Sequence, residues 1–218
     1  MKVLSLRFSR ACNTYEDWAI PQRESAEILR SLKKLEGSVL DIGCGTGFVS
    51  QGLEKVVGID IALGMAKLYK ERFGSAVVAD AHNLPFVDKS FDYVVSNFSL
   101  HWTDVEKSLG EAIRVCRKGL LCALPVKGSL PEFGFPFPEA DLILKTLERK
   151  TYIREFFLRD VAVPFRGFEL LRFFHYTGSS YNPALRGSII SKRKLENMIK
   201  KVDNPKFTVL FFYSEVKE

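Results

Sequence analysis

The chain reads as an α/β fold with a mostly parallel sheet and helices on both faces. Three observations predict it. Short apolar runs of strand length alternate with segments of helical periodicity from about residue 38 to 125. The runs are continuously apolar, as in strands buried on both sides. The first run leads straight into a glycine-rich turn, Asp-Ile-Gly-Cys-Gly-Thr-Gly at 41–47.

The elements follow in order. Thr14–Leu35 carries a helical pattern interrupted at Pro21, with Ala26, Ile28, Leu29, Leu32 and Leu35 near helical spacing and Gly37 ending it. Strands are expected at Ser38–Ile42, Lys55–Asp60, Ala76–Asp80, Phe91–Ser96 and Gly119–Pro125. Helices are expected between them at Phe48–Leu53, Ala62–Phe73 and Val105–Cys116. Past Pro125 the texture changes. Prolines, glycines and aromatics at 126–138 read as a loop over the sheet edge. Glu139–Glu155 is a helix candidate, Leu158–Phe165 is strand-like, and Phe168–Tyr176 and Ser191–Val202 read as helices. Phe207–Val216 is a final long strand, one of a hairpin-like pair closing the sheet. The expected organisation is one domain over 1–218, with an N-terminal helical lid at 1–36, one half at 37–125 and a second at 126–218.

A length of 218 residues, with 46% hydrophobic and 27% charged residues, fits a single globular domain. No apolar run approaches the roughly 20 residues of a membrane-spanning helix. The first residues lack the apolar core and cleavage site of a signal peptide, so a cytoplasmic location is expected. Cys12, Cys44, Cys116 and Cys122 form no CxxC pair, so reduced thiols and no metal site are expected. The net charge of +6 favours an acidic partner, such as nucleic acid, a phosphorylated cofactor, an acidic carrier protein or an anionic membrane. Solubility alone accounts for it equally well.

The glycine-rich turn joins a strand to the next element at the carboxyl edge of the sheet, where open α/β folds bind ligands. A dinucleotide site is the obvious alternative. Three details oppose it. Asp41 ends the first strand, where its charge would repel a pyrophosphate and attract an amino group. The spacing is GxGxG rather than GxGxxG. Asp60 ends the next strand 19 positions on, where a carboxylate can accept from both ribose hydroxyls. Asp80 ends the third.

The run VLDIGCGTG, GIDIALGM, ADAHNLPF and FDYVVSNFSLHW resembles, in order, the motifs of class I S-adenosylmethionine-dependent methyltransferases over about residues 36–125. The resemblance implies the Rossmann-like fold of that class, a mostly parallel seven-stranded sheet with helices on both faces and an antiparallel last strand. It implies S-adenosylmethionine as cofactor. Asp41, Gly43, Cys44, Gly45 and Gly47 would surround its methionine part. Asp60 and Ile61 would meet the ribose, with Met65 near the adenine. Asp80 and Ala81 would lie at the adenine edge and Asn97 under the sulfonium. One departure is Arg117-Lys118-Gly119, where the family usually has a Pro-Gly-Gly turn.

The flanks resemble the malonyl-carrier-protein O-methyltransferases of biotin synthesis. Phe8-Ser9-Arg10-Ala11-Cys12-Asn13-Thr14-Tyr15 matches their opening pattern, and NFSLHWTD (97–104), FELLRFFHYTGSSY (168–181) and ISKRKLENMI (190–199) look like later segments. This implies an acyl carrier protein as partner, with Tyr15 as a lid over the cofactor and Arg172 as anchor of the malonyl carboxylate. Lys127 is a second anchor candidate. A carboxylate is already ionised at neutral pH and needs no general base. His101 would serve as a base only toward a hydroxyl acceptor, and a packed wall residue is the plainer reading of it. Arg186, Lys192, Arg193 and Lys194 could steer an acidic carrier. The rival readings are a methyltransferase of a phenol or quinone precursor, an RNA methyltransferase, and a non-enzymatic protein that keeps the cofactor fold.

Overall fold

The computed structural model describes residues 2–183 and 192–217. Among these, seven strands form one sheet: β1 (Val39–Ile42), β2 (Val56–Asp60), β3 (Ala76–Val78), β4 (Phe91–Asn97), β5 (Cys116–Pro125), β6 (Thr151–Ala162) and β7 (Lys206–Val216). Their spatial order is β3-β2-β1-β4-β5-β7-β6. The first five pair in parallel. β7 lies antiparallel between β5 and β6, so β6 runs with the first five. The chain builds outward from β1 to β3, then crosses back to place β4 on the other side of β1. That reversal opens a crevice at the carboxyl ends of β1 and β4.

The helices are α1 (Lys2–Ala11), α2 (Tyr15–Trp18), α3 (Ile20–Leu32), α4 (Leu63–Phe73), α5 (Val105–Val115), α6 (Ala140–Glu148), α7 (Phe168–Tyr176) and α8 (Lys192–Lys200). Two core layers explain the continuous apolar runs. Val39, Val95 and Leu121 pack on one face with Ala26 and Leu29 of α3 and Leu170 and Phe173 of α7. Leu40, Ile42, Val94 and Leu120 pack on the other with Leu109 and Ile113 of α5 and Ile143 and Leu147 of α6. A strand with helices on both sides has no polar face to show. Asp104 caps α5 by accepting from Lys107 N at 3.2 Å.

Several boundaries differ from the sequence expectation. Residues 48–53 form turns rather than a helix. Gly47 and Gly52 take φ of +92° and +81°, and bonds from Ser50 N to Gly47 O and from Leu53 N to Ser50 O close short turns. The expected helix at Glu139–Glu155 ends at Glu148, and Thr151 already belongs to β6, twelve residues long rather than starting at Leu158. Pairing with β7 along that whole length overrides local helical periodicity. β5 starts at Cys116, three residues early. The N-terminal helical region breaks at Ala19, not Pro21. Pro21 sits in the first turn of α3, where a missing N–H costs nothing. α1 lies within the helical segment expected at 1–36, ahead of the pattern read at Thr14–Leu35. Arg186 and the side chains of Lys192, Arg193 and Lys194 lie outside the described residues. No described helix is long and apolar enough to cross a membrane.

Candidate cofactor and acceptor site

The carboxyl ends of β1, β2 and β4 deliver Asp41, Asp60 and Asn97 to the crevice. The turn between β1 and β2 must pass close to β4, and Gly43 permits it: a Cβ there would lie 1.7 Å from Ser99 Oγ. Gly45, at φ +51°, faces open space, so a side chain there would project into the cavity it lines.

Asp60 organises this turn. Its Oδ2 accepts from Gly45 N at 3.0 Å and its Oδ1 from Ala62 N at 2.8 Å. Asp41 is 2% exposed, and its Oδ2 accepts from Ser50 Oγ at 2.8 Å. Ser50 Oγ also lies 2.6 Å from the Tyr69 hydroxyl. Burial pushes the Asp41 carboxyl up to about 7, opposed by the Ser50 bond, with the charge of Asp60 adding a little. Burial likewise pushes Asp60 up to about 6, opposed by N–H bonds from Ala62, Gly45 and Ile61. Two carboxyl groups held near their ionisation points in one crevice invite a cationic or hydrogen-bond-donating ligand.

The crevice continues as a cavity of about 650 Å³ including its open mouth. Asp60, Ile61 and Met65 line one side, Ala79 and Ala81 the far end, and Gly43, Gly45 and Asn97 the near end. A smaller recess beside it, lined by Asp41, Cys44, Thr46 and Phe48, shares Tyr15, Gly43, Gly45 and Asn97 with the cavity. Apolar walls, a ribose-height carboxylate and a buried carboxylate at the end fit an adenosyl group carrying an amino-acid tail. Asp41, Asp60 and the glycine-rich turn are the residues that could hold it. Gly47 serves packing instead: a Cβ there would lie 2.1 Å from Phe73.

Asp80 and Asn97 each have protein partners. Asp80 does not line the cavity. Its Oδ1 accepts from His82 N at 3.0 Å and pairs with His82 Nδ1 at 2.7 Å, while His82 Nε2 accepts from Asp104 N. These bonds hold Asp80 below the usual carboxylate range, against partial burial. Asn97 lines the cavity, but its amide is committed: Ser25 Oγ donates to its Oδ1 at 2.7 Å and its Nδ2 donates to Gln22 O at 2.9 Å. Asn97 therefore ties α3 to the end of β4.

A second chamber, of about 390 Å³ including its open mouth, adjoins the first and shares Phe8, Tyr15, Phe98 and Trp102 with it. Its other walls are Phe135, Phe137, Phe174, Phe207 and Leu130, with Gln22, His101 and Ser179 as polar members. Phe98 stands between the two cavities at φ +52°, a conformation bulky residues avoid. Its N–H bond to Ala123 O at 2.9 Å helps hold it there. Tyr15 lines both cavities where they adjoin, its phenol pushed up by burial and by the charge of Asp60. His101 packs among Phe98, Trp102 and Phe137, and burial pushes it down to about 3.

Neither anchor candidate reaches the chamber. Arg172 is exposed on α7 and lines none of these cavities. Lys127 is exposed and pairs with Glu139 at 2.5 Å. A helix face chosen from sequence pattern alone left the direction of Arg172 open, and packing of Leu170, Phe173 and Phe174 turned it to solvent. The phenylalanine walls and Gln22 were missed. Their only signal was the density of aromatics at 133–137, which spacing cannot assign to a cavity.

This geometry defines a class, an α/β protein with a crevice suited to an adenosyl cofactor at the topological switch point and an aromatic chamber beside it. A methyltransferase-domain family profile matches residues 40–124. A malonyl-[acyl-carrier protein] O-methyltransferase of Pseudescherichia vulneris is 30% identical over 76% of this chain and 69% of its own. The enzyme of the same description from Yersinia pestis is 32% identical over 64% of this chain and 57% of its own. The matched stretch spans about half the length of several such relatives. A solved S-adenosylmethionine-dependent methyltransferase of Thermotoga maritima shares the fold at TM-score 0.60 and 19% identity, covering 97% of this chain and 99% of that one. The chain belongs to the class I S-adenosylmethionine-dependent methyltransferase family.

Proposed function

We propose that this protein methylates the free carboxylate of a malonyl thioester carried on an acyl carrier protein, with S-adenosylmethionine as donor. One observation carries the choice of acceptor. Among the described residues, the titratable groups lining the chamber are Tyr15 and His101. Burial keeps the first protonated and the second neutral and weakly basic. Neither can deprotonate a phenol or an ammonium at neutral pH. A carboxylate arrives ionised and needs no base. The likeness to malonyl-carrier-protein methyltransferases supports the same acceptor.

The bound cofactor supplies a methyl group on a cationic sulfur. A carboxylate oxygen forms the new bond to that carbon as the carbon–sulfur bond breaks. The electron pair stays on sulfur, and no proton moves. The chain's part is placement. Asp60 would hold the ribose and Asp41 the amino group, fixing the donor against the chamber. Tyr15, Phe98 and Trp102 would fix the reacting oxygen near the methyl and exclude water. The helices before residue 37 act as the cover, since Leu4, Phe8 and Tyr15 line the cavities. The net charge of +6 would favour approach of an acidic carrier.

The test is mass spectrometry of malonyl-loaded and acetyl-loaded carrier after incubation with protein and S-adenosylmethionine. One added methyl on the malonyl form alone is expected. No transfer, with cofactor binding confirmed by calorimetry, overturns the acceptor.

The aromatic walls favour a second reading, a flat apolar small molecule. Such an acceptor would have to carry an acidic group of its own.

A further inference from the structure

Among the buried polar atoms of the described residues, Gln22 Oε1 and His101 Nδ1 have no hydrogen-bond partner. Both residues line the same chamber. Gln22 is 6% exposed. A buried polar group without a partner costs about 1–3 kcal/mol, and native proteins keep such groups where something else completes them. Here two belong to residues that line one aromatic space.

The frame around them is rigid. Gln22 O accepts from Asn97 Nδ2, which fixes the start of α3 to the end of β4. The His101 ring is wedged against Trp102 at 4.9 Å and Phe137 at 5.5 Å between centroids. Neither side chain can swing out to water cheaply. A primary amide presents either its oxygen or its two N–H donors after a half-turn. A neutral imidazole presents one donor, and its tautomer is free to choose which nitrogen. The Tyr15 hydroxyl adds another donor at the mouth. No arginine or lysine lines the chamber among the described residues.

We infer that Gln22 and His101 are the recognition pair of the acceptor chamber and grip the acceptor's carboxylate through neutral N–H donors rather than through a cation. This deepens the carboxylate-methylation reading and rests on it. The chemistry favours such a grip. A guanidinium bound to the reacting oxygens would draw off their electron density. Neutral donors orient the anion and leave it nucleophilic. The opposing charge then comes from the sulfonium, and the two charges cancel as the bond forms. Charge cancellation is favoured in a dry, weakly polar space. The aromatic walls supply that space, and Gln22 and His101 select the group that enters it.

The experiment uses the full chain and the malonyl thioester of N-acetylcysteamine, a probe that needs no carrier docking. Its binding to protein loaded with S-adenosylhomocysteine is measured by calorimetry, alongside KM and kcat for turnover. Gln22→Met and His101→Phe should each weaken probe binding and raise KM roughly tenfold to a hundredfold. Affinity for S-adenosylhomocysteine should stay within about twofold of the parent, since neither residue lines the cofactor cavity. His101→Asn, which keeps a donor, should recover most of the loss, whereas a packing role would leave it no better than His101→Phe. Unchanged probe binding and KM in Gln22→Met and His101→Phe, in a protein that methylates the probe, overturns the recognition pair and leaves the function standing. Probe binding that falls in both variants, with no methyl transfer in the parent, keeps the pair and overturns the function. No probe binding by the parent overturns both.

Discussion

The cofactor cavity and the acceptor chamber share Phe8, Tyr15, Phe98 and Trp102, yet they are built by different rules. The first is assembled from strand ends. Asp41, Asp60 and the glycine-rich turn arrive there because parallel strands all stop at one edge. Its charged groups are carboxylates raised by burial, against a bond from the Ser50 hydroxyl at Asp41 and backbone N–H bonds at Asp60. The second is assembled from whatever covers that edge: α1, α2 and the start of α3, the segment after β4, the 126–138 segment, α7 with the turn after it, and the start of β7. It is aromatic and carries no formal charge among the described residues. The contrast teaches a division of labour. On the proposed reading, charge would fix the donor, whose adenosyl and amino-acid parts stay constant, and an uncharged chamber would leave the acceptor reactive.

The sharpest way to break this contrast is at Gly45. A valine there would fill the cavity and strain a turn at φ +51°. Gly45→Val should lower cofactor affinity at least about 100-fold by calorimetry, while the fold, read by circular dichroism, persists. An unchanged affinity would mean the cofactor does not approach this turn.

A pH series sharpens the charged side of the comparison. Asp41 and Asp60 have raised pKa values, so the folded state binds more protons than the unfolded chain between about pH 4 and 7. Their protonated forms support the ligand-free fold at low pH, and that support is lost as pH rises through about 6 and 7. The melting temperature of the ligand-free protein should therefore carry a falling contribution over that window. Cofactor affinity should run the other way, rising several-fold from pH 6 to pH 7.5 as Asp41 ionises. Asp41→Asn should flatten the affinity profile. A wild-type affinity independent of pH would remove Asp41 from the amino-group contact.

The smallest effect concerns the two cations that the sequence offered as anchors. Arg172→Ala and Lys127→Ala should each change kcat/KM for the small malonyl probe less than about twofold, as for exposed side chains outside a site. A loss above tenfold for Arg172→Ala would mean that α7 turns it inward on binding, and that a cation holds the carboxylate after all.

The cofactor half was legible because its signals are local. An acidic residue at a strand end, glycines at fixed spacing and the next strand-end acid nineteen positions on are all set by one βαβ repeat. The helix expected at 48–53 failed where two left-handed glycines closed turns instead. The strand β6 was half missed because its reason for being extended, the ladder to β7, lies some fifty residues away.

By itself the sequence determined the fold class and the sheet edge that carries the glycine-rich turn, because backbone geometry and short-range spacing dictate both, while its resemblance to known motifs implied the donor. Only the tertiary structure decided that Asp80 turns to His82, that Asn97 is spent on tying α3 down, that Arg172 faces water, and that Gln22 and His101 meet in an aromatic chamber. Side-chain direction and long-range convergence are properties of packing, and residues far apart in the chain carry no mark of the neighbours that packing gives them.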